Sequence, residues 1–206
     1  MICHSKTNRM MGKLFFIYGA MNSGKSMHLL AKAHNFEERN IPFMLIKTNI
    51  DTRDGEDVIH SRALGSKKCI SIDVDTNILE LVECKIKLTK ITPMWILVDE
   101  SQFLSEKQID DLSDIVDLYG INVICYGLRT DFKTELFPGS KRLFEIADSI
   151  EELKCSCSCG RKAIYNARLD DNGNITTNGN QVEIGGNDRY VSLCRNCYKN
   201  KINLIR

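Results

Sequence analysis

The chain has 206 residues, with 28 Lys and Arg against 27 Asp and Glu, which allows one substantial core and a small appendage but not two equal domains. So neutral a balance gives no global reason to expect a nucleic-acid or membrane-surface partner, and favours a small, locally recognised substrate. No apolar run of about 18 residues is present, and the opening stretch through Arg9 lacks the apolar core of a signal peptide, so the expectation is a soluble, cytoplasmic protein.

Residues 1–12 are polar and aperiodic and read as a flexible tail. From Lys13 the chain alternates apolar runs with amphipathic stretches, the pattern of β-α-β units and a parallel sheet. Strands are expected at Leu14–Tyr18, Phe43–Lys47, Lys68–Ile72 (the weakest), Met94–Val98 and Asn122–Tyr126. Helices are expected at 26–39, 77–85, 106–118 and 141–147. Ser105 with Gln108 three residues on forms a capping-box signal, and Gly120 is a stop. His60, Arg62 and the rest of 48–66 read as a mobile surface loop. After about residue 153 the composition changes: 170–188 is rich in Asn, Gly, Asp and Thr and lies between two groups of cysteines.

Between the first strand and the first helix runs Gly19-Ala20-Met21-Asn22-Ser23-Gly24-Lys25-Ser26. In this context the glycines let backbone N–H groups curl around phosphate oxygens at a helix N-terminus. Lys25 neutralises β/γ-phosphate charge, and the Ser26 hydroxyl can ligate magnesium. The loop therefore reads as a nucleoside-triphosphate cradle.

The fourth strand runs into Asp99-Glu100-Ser101-Gln102-Phe103, at the carboxyl end where open parallel sheets bind ligands. Asp99 occupies the place of the acid that holds the magnesium shell opposite Ser26. Glu100 is then free to accept a proton from a hydroxyl nucleophile; its bland alternative is an ion pair with a loop cation. A P-loop with a later Asp-Glu pair also occurs loosely in helicase-like ATPases, so the competing reading is a nucleic-acid-dependent P-loop ATPase. The chain has neither the second ATPase core nor the basic stripe such motors use.

Nine cysteines are unevenly spread. Cys3, Cys69, Cys84 and Cys125 are scattered, whereas Cys155, Cys157, Cys159, Cys194 and Cys197 crowd the last quarter. In a reducing compartment such a cluster points to metal rather than disulfides.

Together with Asp51-Thr52-Arg53, Gly127-Leu128-Arg129-Thr130-Asp131-Phe132, Ile184-Gly185-Gly186 and Tyr190 followed by Cys194-Arg195-Asn196-Cys197, these motifs give a chain that resembles the type II thymidine kinases from about Lys13 to about Tyr198. The resemblance implies transfer of the ATP γ-phosphate to the 5′-hydroxyl of thymidine in nucleoside salvage, with Glu100 as general base. It implies Mg2+ with ATP, no role for nucleic acid or membrane, and a homotetramer. It also implies a nucleoside pocket that includes Met21, Gln102, Phe103, Leu128, Phe132 and Phe137. Read as residues alone, Phe132 and Phe137 are equally a stacking platform for a pyrimidine or buried loop anchors. Asp51 and Arg53 are implied to lie near phosphates and sugar, against the plain alternative of an ion pair in a turn.

Cys194 and Cys197 are spaced to grip one tetrahedral zinc from a tight turn, and Cys159 is the third ligand. The family's Cys-x-x-Cys is broken here by Ser156, so the fourth ligand is Cys155 or Cys157, and spacing favours Cys155 because Cys157 would require a short Cys-x-Cys chelate. With four thiolates the zinc is structural. The polar stretch between the pairs resembles the family's lasso, implied to contact the nucleoside through Val182, Glu183, Ile184 and Gly185 and, at the sugar, through Tyr190. Asn172-Gly173-Asn174 and Asn178-Gly179 also read as hairpin turns. The expected architecture is α/β: a tail at 1–12, a P-loop NTPase core with a mainly parallel sheet flanked by helices at 13–153, and a small zinc-binding domain with the lasso at 154–206.

Overall fold

The computed structural model describes residues 11–49, 57–179, 181 and 189–202. The N-terminal part consists of β1 (Leu14–Gly19), α1 (Lys25–Glu38), β2 (Phe43–Thr48), a hairpin of β3 (Val58–Ser61) and β4 (Gly65–Lys68), β5 (Ile70–Ile72), α2 (Ile78–Thr89), β6 (Trp95–Asp99), a 3-10 turn (Ser101–Phe103), α3 (Glu106–Tyr119), β7 (Asn122–Gly127), α4 (Pro138–Ile146) and β8 (Ser149–Leu153). Six of these strands form one sheet in the order β5-β2-β6-β7-β1-β8, and every neighbouring pair is parallel.

Parallel strands covered on both faces read as continuous apolar runs because successive side chains serve opposite layers. Phe16, Ile96, Val98 and Val123 point to a layer formed by α2, α3 and α4. Ile17, Leu97, Ile124 and Tyr126 point to α1, where Leu29, Leu30, Ala33 and Phe36 are buried. Asp99 shares the parity of Leu97, so its carboxylate emerges on the α1 side.

The helix signals are realised with small shifts. Ser105 Oγ accepts from Gln108 N at 3.2 Å and Gln108 Oε1 accepts from Ser105 N at 3.1 Å, completing the capping box, and Gly120 closes α3 at φ 68°. Asn77 caps α2 through Glu80 N. α4 begins earlier than expected because Pro138, with its preset φ and no N–H, starts the helix.

Two expectations are overturned. Residues 57–68 form a hairpin rather than a loop: Ile59 is 1 % exposed and joins the α1 layer, which anchors β3. The strand expected over Lys68–Ile72 is therefore divided, Lys68 pairing with Val58 and Ile70–Ile72 with β2. β8 was not expected as a strand; its Ser-Ile-Glu-Glu-Leu sequence is polar because it is an edge strand, paired on one side to β1.

Beyond β8 the sheets are small and antiparallel: β9 (Cys155–Ser156) with β10 (Lys162–Ala163), and β12 (Ile175–Thr176), β11 (Tyr165–Leu169) and β13 (Tyr190–Leu193) side by side, followed by α5 (Arg195–Lys201). Gly173, at φ 78°, makes the turn between β11 and β12, where Asp170 Oδ1 accepts from the N–H groups of Asn172 and Asn174.

Candidate active site and cysteine cluster

The loop from Gly19 to Ser26 joins β1 to α1 in the expected place. Gly24 is left-handed, φ 83°, so α1 starts without a side-chain cap and its first N–H groups remain available. A Cβ on Gly19 would lie 2.3 Å from Ser23 Oγ and 2.6 Å from the Leu153 carbonyl, which explains the glycine where the loop doubles back. Asn22 also has positive φ, 61°. Lys25 is 8 % exposed and donates to the Ala20 carbonyl at 3.1 Å. Burial holds its pKa below the ordinary value, against the pull of Glu100 and Asp99.

Ser26 Oγ donates to Asp99 Oδ2 at 3.1 Å, bringing the helix hydroxyl and the strand-end acid together. Asp99 is 4 % exposed; burial first, then the neighbouring Glu100 charge, push its pKa up to about 7, with Lys25 and the Ser26 hydrogen bond pulling the other way. A buried carboxylate facing a hydroxyl and an ammonium suits a divalent cation, which would supply the charge that burial withholds.

Glu100 adopts φ 52°, ψ 37° as the chain leaves β6 for the 3-10 turn. At this left-handed residue the chain leaves the extended path of the strand. Gln102 Nε2 donates to Glu100 Oε2 at 2.5 Å, and Gln102 Oε1 accepts from Leu128 N at 2.9 Å. Gln102 is 1 % exposed and so ties Glu100 to the loop after β7. A Cβ on Gly127 would sit 2.9 Å from Gln102 Oε1, so this approach needs glycine.

Aromatic residues gather beside this line. Phe103 and Phe137 meet edge to face with centroids 5.6 Å apart. Phe132, 2 % exposed, lies under the Arg168 guanidinium at 3.7 Å, and Arg168 Nε donates to the Tyr190 hydroxyl at 2.9 Å. Phe132 and Phe137 are both buried, which either of the two roles their composition allowed would require. Asp51, Arg53, Val182, Glu183, Ile184 and Gly185 lie outside the described residues.

Asn166 and Ser192 were not singled out from sequence. Asn166 Oδ1 accepts from Met21 N at 2.7 Å and Ser192 Oγ donates to the Met21 carbonyl at 2.7 Å. Nor was Arg168. The available signal was alternation in Tyr165–Leu169, whose buried positions include the polar residues Asn166 and Arg168.

The sulfurs of Cys157, Cys159, Cys194 and Cys197 all lie within 4.8 Å of one another. This corrects the expected choice of Cys155, whose Sγ is instead 3.8 Å from the Met21 carbonyl. The reason is the turn: Gly160 N donates to the Cys157 carbonyl at 2.8 Å and Gly160 takes φ 82°, so the knuckle starts at Cys157 and a Cys-x-Cys pair can converge. Zn–S bonds of about 2.3 Å in a tetrahedron put sulfurs about 3.8 Å apart; Cys159 and Cys194 Sγ are 3.6 Å apart. The N–H groups of Cys159 and Cys194 hold the Cys157 thiol down at about 6, favouring an anionic sulfur. The donor set fits one tetrahedral zinc.

A parallel sheet whose first strand feeds a phosphate-binding loop and helix, with an acid from β6, two places from β1 in the sheet, facing that helix's serine, defines a P-loop α/β nucleotide-binding protein. The thymidine kinase family model matches residues 12–198. Curated proteins named thymidine kinase are similar over nearly their whole length. That of Mannheimia succiniciproducens is 44 % identical over 93 % of this chain and 97 % of its own. Those of Haemophilus influenzae and Pasteurella multocida are each 45 % identical, over 95 % and 94 % of this chain and all of theirs. The chain belongs to the thymidine kinase family.

Proposed function

We propose that this protein transfers the γ-phosphoryl group of ATP to the 5′-hydroxyl of thymidine, giving thymidine monophosphate and ADP for nucleoside salvage. The observation that carries the reading is the pair of acids at the end of β6: Asp99 bonded to Ser26 of the phosphate-binding helix, and Glu100 bonded instead to Gln102. In this assignment Gly19 to Ser26 receive the phosphates, and Ser26 with Asp99 hold Mg2+, which screens the β- and γ-phosphate charge. Glu100 takes the 5′-hydroxyl proton as the new O–P bond forms and the bond to the β-phosphate oxygen breaks, leaving ADP.

Met21, Gln102, Phe103, Leu128, Phe132, Phe137 and Tyr190 are assigned to the nucleoside by family resemblance, a reading supported for Gln102 and Leu128 by the hydrogen bonds that join them to Glu100. Asp51, Arg53 and Val182 to Gly185 are assigned to it by family resemblance. Cys157, Cys159, Cys194 and Cys197 are assigned to a structural zinc that holds the unit 154–206 beside the core 13–153. A cytoplasmic homotetramer acting without nucleic acid completes the proposal.

A coupled assay of ADP release tests it. Release that requires thymidine and ignores DNA is the expected result; release that requires DNA and ignores thymidine would make the protein a nucleic-acid-dependent ATPase.

A further inference from the structure

Met21 stands next to the left-handed Asn22 in the phosphate-binding loop. A non-glycine residue in that conformation persists only where its surroundings hold it. Both polar groups of the Met21 backbone are held from outside the loop. The N–H donates to Asn166 Oδ1 at 2.7 Å, and the carbonyl accepts from Ser192 Oγ at 2.7 Å.

Asn166 on β11 and Ser192 on β13 are register partners across the antiparallel pair, so two adjacent side chains grip one residue. The Asn166 amide has a fixed sense: Nδ2 donates to the Thr130 carbonyl at 3.1 Å, which leaves Oδ1 for Met21. Asn166 is 4 % exposed, so water does not substitute freely for either contact. β13 continues into Cys194 and β9 into Cys157, two members of the sulfur cluster. Strands this short do not hold their register alone, and each of these two runs directly into a cysteine of the cluster.

We propose that Asn166 and Ser192 are positioning residues for the nucleotide. Through Met21 they keep the phosphate-binding loop in its receptive shape, and they couple the cysteine cluster to the ATP site. The inference rests on the reading of Gly19 to Ser26 as the ATP cradle.

The test measures ATP affinity by calorimetry without thymidine, alongside zinc content and melting temperature. Asn166→Ala and Ser192→Ala are each expected to weaken ATP by about three- to twelve-fold, the scale of one lost hydrogen bond to the loop, with zinc retained. Because both act on one residue, the double variant should lose less than the product of the two. Ser192→Thr keeps the hydroxyl and is expected to bind ATP as the unaltered protein does. ATP affinity within about two-fold of the unaltered protein in zinc-loaded Ser192→Ala, whose hydroxyl is the less buried of the pair, overturns the proposal, as does a loss that Ser192→Thr fails to restore. An assay of thymidine phosphorylation by the unaltered protein separates the two levels: ATP binding without thymidine phosphorylation sinks the assigned acceptor, while the clamp stands or falls on the ATP affinities of the variants.

Discussion

Asp99 and Glu100 are consecutive acids in different surroundings. Asp99 keeps the parity of its strand, is buried on the α1 side and bonds to Ser26. Glu100 leaves the strand at positive φ and is half-buried, its carboxylate reached by the Gln102 amide. One suits a cation and the other a substrate proton. Glu100→Gln removes the acceptor while keeping shape, so turnover should fall about 10²- to 10⁴-fold while ATP affinity, read by calorimetry, changes little. Retained turnover would remove Glu100 from the role of base. Gln102→Ala leaves the Glu100 carboxylate and the Leu128 N–H without their shared partner. It should lower kcat more than it raises the KM for ATP, a split visible in steady-state kinetics.

The elements that position these residues were legible where one local rule settles a conformation. Ser105, Gln108 and Gly120 announce the two ends of α3, and the apolar runs of β1, β2, β6 and β7 announce strands covered on both faces. Legibility failed where long-range pairing decides. β8 has the composition of a surface segment and becomes a strand only because β1 offers it an edge. Ile59 makes a hairpin of an apparent loop by entering the α1 layer. At the site, spacing identified the phosphate loop and both acids, but chose Cys155 over Cys157 because linear spacing does not show where a knuckle turn begins. Asn166 escaped for the same reason, since its partners Met21 and Thr130 are 145 and 36 residues away. The joint between α4 and the 3-10 turn is equally hidden: a Cβ on Gly139 would lie 2.5 Å from the Ser101 carbonyl and 2.7 Å from that of Leu104. Both neighbours are backbone, so Gly139→Ala should force the turn to move, at a cost of about 1–3 kcal/mol. The checks are a lowered melting temperature together with reduced turnover, because the displaced turn carries Gln102.

At the scale of the molecule, two cores of unequal strength share one site. The parallel sheet buries large apolar side chains on both faces. Beyond β8 the buried apolar cluster comprises Cys157, Ala163, Ala167, Leu193, Cys194 and Tyr198, with the Tyr198 hydroxyl reaching back to the Phe132 carbonyl at 3.0 Å. A cluster so small, two of whose members are themselves in the sulfur group, does not fold a unit without a further constraint such as a metal. Zinc bound by Cys157, Cys159, Cys194 and Cys197 would supply it, because binding free energy at a site absent from the unfolded chain is folding free energy. Cys157→Ser should therefore lower zinc content while Cys155→Ser leaves it near one per chain, and the opposite pattern would reassign the ligand. Chelation carries the argument further. On removal of zinc, amide hydrogen exchange should accelerate over β9 to α5 while β1, β6 and β7 keep their protection, since their burial does not involve the cysteines. Acceleration spread evenly over both parts would mean that the metal supports the whole fold; no acceleration in β11 and β13 would mean that the small sheet stands without it. The clamp on Met21 adds one discriminating position: exchange at its N–H, bonded to Asn166, should follow β11 rather than β1, although it lies two residues from the end of β1.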